Sequence, residues 1–194
     1  MDLSKQLSEQ AVGRLSYEID TEVTDLLISG AREDDRLTFS KTLPIGVNIR
    51  DHYASFLAKI ATGSQIIYDR TKRFAANYIL VASDLIPIFS LIDAYKPAAT
   101  GRVNGPYYAG IISNLKVFVT PNIEAGRFVI GVNGDDMMSS AAVYAPYMPL
   151  VPTQLLGYAD GGMSQGWSTM YDLQLLNADD EGKSLLLVGG KVVD

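Results

Sequence analysis

The chain of 194 residues contains no cysteine, one histidine and one tryptophan. Without cysteine it forms no disulfide and offers no thiolate to a metal. No apolar run approaches the ~18 residues that read as a membrane-spanning helix. The first ten residues, Met1 to Gln10, are polar and lack the apolar centre of a secretory signal. The chain is therefore read as cytosolic in the cell that makes it. Positive charge is also short: 16 basic residues face 22 acidic ones, a net charge of −6. That balance does not favour a nucleic-acid surface, which shows a basic patch. The one tight basic cluster, Arg70, Lys72 and Arg73, falls at an expected helix end, where it complements the helix dipole. Neither a specific nucleic acid nor a membrane is expected as a partner.

Convergent chemistry is scarce as well. His52 follows Asp51 in the first turn of an expected helix, and adjacent helical positions do not share a face. It is read as structural. Asp135-Asp136 and Asp179-Asp180-Glu181 lack the alternating oxygen ligands that a hard cation needs. They are read as solvated turns. Gly182-Lys183-Ser184 copies the end of a phosphate loop, but the glycine required five positions earlier is Asn177, and a strand rather than a helix is expected to follow. Gly131-x-x-Gly134 and Gly189-Gly190 are turn glycines. Trp167, Tyr171, Tyr144 and Tyr147 suit a core or a subunit interface better than a ligand platform. No catalytic residue, metal ligand or cofactor is expected.

Apolar residues make up 47% of the chain, enough for a globular core. A chain of this length buries about 70% of its unfolded surface. From about Ser4 to Ser29 one long helix is expected, with Leu7, Ala11, Leu15, Ile19, Val23 and Leu27 recurring every fourth residue and Gly30 as its C′ residue. A step of four lags a 3.6-residue helix by about 40°, so the apolar seam wraps around the cylinder and meets more than one neighbour. A charged connector, 31–36, leads to the alternating piece Leu37-Thr38-Phe39 and a turn at Pro44. A second helix starts at Asn48 as N-cap with Asp51 at N3. It buries Ile49, Tyr53, Phe56, Leu57, Ile60 and Ile67 and is expected to bend at Gly63. Asn77–Ala82 reads as a buried strand. A short helix capped by Ser83 or Asp84 follows, running to Ile92 with Pro87 in its first turn. Tyr95 to Pro106 reads as an exposed projecting loop.

The later part of the chain carries the most distinctive phrases. They are N-G-P-Y-Y-A-G from Asn104, L-K-V-F-V-T-P from Leu115, R-F-V-I-G-V-N-G from Arg127 and A-A-V-Y-A-P-Y-M-P-L ending at Leu150. Strands are expected at about Leu115–Thr120, Arg127–Val132 and Ala141–Tyr144. Further pieces at Gln154–Tyr158, Ser168–Leu176 and Ser184–Val188 would return to a sheet. The order of elements, with Tyr107-Tyr108-Ala109-Gly110, Val117–Pro121 and Tyr144–Leu150, resembles the tailed-bacteriophage major capsid proteins, closest to the C-terminal half of the T-even-like type. The resemblance covers nearly all of the chain.

What the resemblance implies is an α+β Hong Kong 97-type capsid fold: a spine helix with part of the peripheral domain over 1–47, an axial domain over 48–150, and return strands to the peripheral domain over 151–194. It implies a structural subunit of an icosahedral or prolate phage shell, assembling into hexamers and pentamers, with no enzymatic activity. Partners would be copies of itself and other capsid or decoration proteins. Its place would be the virion, and the host cytoplasm before assembly. Interface positions expected on this reading are Leu15 and Ile19 on the seam, Lys96, Arg102 and Asn104 in the projecting loop, and Tyr147. Tyr144 or Tyr147 is expected to be buried where the axial domain rejoins the peripheral sheet. Family members carry an N-terminal arm and an extended loop ahead of the spine helix. Here the helix begins at about residue 4, so association of these residues alone is expected to be modest. Two other readings fit less of the sequence: a nanocompartment shell protein of the same fold, and a small α/β enzyme using His52 or the acidic turns.

Overall fold

The computed structural model describes residues 3–99, 105–154, 156–157 and 163–193. Helix α1 spans Leu3–Gly30. Of the expected seam, Ala11, Leu15, Ile19, Val23 and Leu27 are half-buried, while most positions between them are exposed, and the side chain of Leu7 lies outside the described residues. Gly30 is the last helical residue and does not have the positive φ of a left-handed C′ glycine. Its role is close approach, since an added Cβ would sit 2.6 Å from Leu175 Cδ1.

After α1 come β1 (Arg32–Glu33), a 3-10 turn, β2 (Phe39–Ser40), α2 (Ile49–Ala54), α3 (Phe56–Thr71) and β3 (Tyr78–Val81). A second 3-10 turn leads into α4 (Ile86–Ser90), β4 (Tyr95–Pro97), β5 (Tyr107–Ile112), β6 (Leu115–Val119) and β7 (Arg127–Gly131). The remainder is β8 (Ala142–Pro152), β9 (Leu156–Gly157), β10 (Met163–Ser164), β11 (Trp167–Leu175) and β12 (Leu187–Val193).

The main sheet runs β1-β12-β7-β3-β6-β5-β4, with β2 pairing a further stretch of β12. β3 lies inside it, parallel to β6 and antiparallel to β7. All of its side chains are buried, which is why its sequence is a continuous apolar run without alternation. The core on the α3 face is aromatic. Phe56 packs edge-on to Phe128 at 5.2 Å and tilted against Phe89 at 5.5 Å. A second, separate ribbon is formed by β8 and β11. On β11 burial alternates strictly, following the sequence W-S-T-M-Y-D-L-Q-L. Its half-buried side lies towards α1, where the Tyr171 hydroxyl donates to Glu22 at 2.5 Å.

Several expectations are corrected. Asn48 does cap its helix, accepting from the Arg50 N–H at 3.2 Å. The helix then breaks at Ser55, not at Gly63. The Ser55 hydroxyl donates to the His52 carbonyl at 2.6 Å, a local bond that competes with the helical ladder. Gly63 sits in the continuous α3, where a Cβ would come within 2.5 Å of Ile130 Cδ1. Ile49, expected inside, is exposed. Ser83 and Asp84 do not cap α4; the Asp84 carboxylate instead accepts from the Gly126 N–H at 3.0 Å. The start of the expected 95–106 loop is the edge strand β4, where Pro97 lacks a donor without cost to a second neighbour.

Candidate assembly surfaces

On α1, Leu15 and Ile19 are half-buried, as a seam partly covered by its own chain would leave them. Four carboxylates, Glu18, Asp20, Glu22 and Asp25, share this stretch, and no basic residue lies between Arg14 and Arg32. The hydrogen bond to Glu22 pushes the Tyr171 phenol up to about 12, so the ribbon is tied to the helix by a neutral donor. Lys96 is exposed on β4, its backbone opposite Ile111. Arg102 and Asn104 lie outside the described residues, as does the centre of the expected projecting loop.

Tyr147 is 85% exposed and Tyr144 43% exposed, so neither is buried. The reason is in the register of β8 against β11. Pro146 faces Tyr171 and Met148 faces Met170, which leaves Tyr147 as the extra residue of a bulge. A second irregularity lies between Met170 and Ser168, where Pro149 and Leu150 lie opposite the single Thr169. Tyr144 keeps a ring contact with Tyr171 at 5.4 Å. Trp167 is half-buried at the start of β11.

The residues weighed for chemistry serve the scaffold. His52 Nε2 lies 2.9 Å from the Ser40 carbonyl oxygen, and its ring packs on Phe39 at 5.0 Å. Asp179 folds its own turn, accepting from the Glu181 and Lys183 N–H groups at 3.0 and 2.9 Å. Those backbone bonds, the one from Lys183 first, hold its carboxyl below the usual range. Asp34 accepts from Arg36 Nε at 2.9 Å and Nη2 at 2.8 Å, and Arg70 stands 3.8 Å away. The Arg36 bonds hold the Asp34 carboxyl at about 2. Among the described residues no cluster of histidine or carboxylate side chains could hold a metal ion. Among them, too, no helix is long and apolar enough to cross a membrane.

A surface that the sequence reading passed over lies between β2 and α2. Leu43, Ile45, Val47 and Ile49 are all exposed, and Ile45 fully so. The Val47 N–H donates to the Pro44 carbonyl at 3.2 Å, and Gly46 has φ +85°, which makes 44–47 a type II turn with Ile45 at its tip. The alternation of apolar residues through Pro44 and Gly46 is the signal that could have shown it.

A long helix beside a mixed sheet, with a separate two-stranded ribbon lying against the helix, is the layout of a Hong Kong 97-type capsid fold. The chain is similar in structure to one from Mycobacterium phage Che8, with a TM-score of 0.58 and 11% identity, covering 97% of this chain and 63% of that one. It is also similar to a virus-like particle from Pyrococcus furiosus, with a TM-score of 0.52 and 10% identity over 91% of this chain and 64% of that one. At those identities the likeness shows the fold alone. The chain belongs to the major capsid protein Gp23 family, whose family model matches residues 1–183. A major capsid protein is a structural subunit, not an enzyme. No curated protein matches the sequence.

Proposed function

We propose that this chain is a structural subunit of a bacteriophage capsid shell of the T-even-like kind, assembling with copies of itself into hexamers and pentamers. The observation that carries the reading is membership of the Gp23 family together with an apolar seam on α1 that its own chain leaves half-covered. An apolar surface of this sort marks a site for neighbouring subunits. In this reading residues 1–47 form the spine and part of the peripheral domain, 48–150 the axial domain, and 151–194 the return to the peripheral domain. Leu15, Ile19, Lys96, Arg102, Asn104 and Tyr147 face neighbours. The subunit also meets other capsid or decoration proteins. It resides in the virion, and in the host cytoplasm before assembly. Negative-stain micrographs of the full-length gene product test this: rings or closed shells support it, and isolated particles at every concentration contradict it.

A further inference from the structure

The ribbon of β8 and β11 is almost free of charge. From Ala141 to Leu176 it carries only Asp160 and Asp172, and no base. Depletion of charge marks the centre of subunit interfaces.

Its two edges are unlike. The Gly166 carbonyl accepts from the Thr153 N–H, and the Leu176 N–H donates to Ala141. The even-numbered residues of β11 between them therefore turn their backbone groups towards β8. The odd-numbered ones, from 167 to 175, turn theirs outward. Among the described residues no strand but β8 pairs with β11. Of the outward N–H groups, only that of Leu173 has a partner among them, the Asp172 carboxylate at 3.0 Å. An unpaired edge is a template for another strand, and proteins blunt such edges with proline or lysine. β8 is blunted in this way, with Pro146 and Pro152 at outward positions. β11, W-S-T-M-Y-D-L-Q-L, carries neither residue.

Among the described strands of a second copy, β11 itself fits that edge best. The β8 edge lacks donors at its prolines. The edge strand β4 carries Lys96 and Pro97, and β1 and β2 are two residues each. Two copies of β11 pair over their full length when a two-fold axis passes through Tyr171, the middle of the nine-residue strand. Trp167 then faces the partner's Leu175, and Met170 faces the partner's Asp172. Moving the axis to Asp172 would set two carboxylates opposite each other. It would also push the partner strand past Leu175, where the edge is taken, since the Leu185 N–H donates to the Asn177 carbonyl at 2.9 Å.

We propose that two copies join through the free edge of β11, antiparallel about Tyr171, as a four-stranded sheet with the proline-bearing β8 edges outermost. The proposal rests on the shell-subunit reading and names one of its contacts. The contact is isologous. It joins copies in pairs, and the prolines of β8 stop the sheet from growing further.

The absence of cysteine makes a clean test. Met170 and the partner's Asp172 form a non-hydrogen-bonded pair in this register, with Cβ atoms roughly 4.5–5.5 Å apart, close enough for a disulfide after a small adjustment. Both positions are exposed, so Met170→Cys and Asp172→Cys should fold. Each is prepared alone, and the two are mixed under mild oxidation at concentrations where the unmodified chain associates. Cross-linked dimer in the mixture, well above that of either variant alone, is the expected result. Folded Leu173→Pro, which removes one outward N–H from each copy, should associate at a midpoint concentration about tenfold higher. A mixture that cross-links no better than either variant alone, while the parent associates, overturns the β11 pairing and leaves the shell reading standing. So does a folded Leu173→Pro that associates like the parent. A parent that shows no association at any concentration overturns both.

Discussion

Asp34 shows what a single side chain contributes and when. Its carboxyl is held at about 2 by the hydrogen bonds from Arg36, below the ordinary 3.8. A depressed carboxylate pKa stabilises the fold above the ordinary value, and that contribution is lost as pH falls from about 4 towards 2. Asp34→Asn is therefore expected to melt lower at pH 7 and to lose less stability than the parent between pH 5 and pH 2. Parallel melting curves across that range would contradict the assignment. Gly110 is the second case. It sits at φ +151°, and an added Cβ would fall onto the Lys96 carbonyl oxygen of the neighbouring strand. Backbone cannot yield as a side-chain tip can, so Gly110→Ala is expected to cost about 1–3 kcal/mol. Chemical denaturation measures this, and an unchanged midpoint would refute it. The phrase Tyr107-Tyr108-Ala109-Gly110 was legible as distinctive in the sequence. The reason for its glycine was not, because the clash is with a strand that pairs from outside the motif.

At the scale of elements, periodicity carried most of the reading. The four-residue seam gave α1 its length, Asn48 gave α2 its start, and the uninterrupted apolar run gave β3 its central place. Breaks caused by one local hydrogen bond, such as the one at Ser55, leave no periodic trace. The sequence pattern marks only the start of strand β8, at 141–144, because three prolines fall within its eleven residues. The ladder bonds explain how it tolerates them. Leu176 N–H donates to Ala141 and Thr153 N–H donates to Gly166, so residues 141 and 153 point towards β11. Pro146 and Pro152 therefore point away from it, where a missing N–H leaves no bond unmade. The same bulged register puts Tyr147 outside. Tyr147→Ala should accordingly change the stability of the free chain by no more than about 0.5 kcal/mol. Tyr171→Phe, which loses the bond to Glu22, should cost about 1 kcal/mol. Thermal melts of the two variants side by side decide this, and a larger loss in Tyr147→Ala would restore a buried role for that ring.

For the whole molecule, the sequence indicated a protein whose function lies in surfaces, chiefly by the lack of any convergent acid, base or metal set. Which surfaces was harder to read. Leu15 and Ile19 were visible because helical spacing marks them, and they are half-covered in the fold. The free edge of β11 was not, since only its register against β8 shows which backbone groups face outward. The chain spans 63% of the Che8 chain to which it is similar. Stable protein interfaces bury roughly 1,600 Å² in total, so self-association of these residues is expected to be weak and concentration-dependent. Sedimentation velocity over a concentration series, with the double variant Leu15→Ser, Ile19→Ser beside the parent, tests this most directly. The account predicts a parent that shifts from monomer to larger species as concentration rises, and a variant that stays folded and monomeric throughout. A parent that sediments as a strict monomer at the highest concentration reached would contradict it.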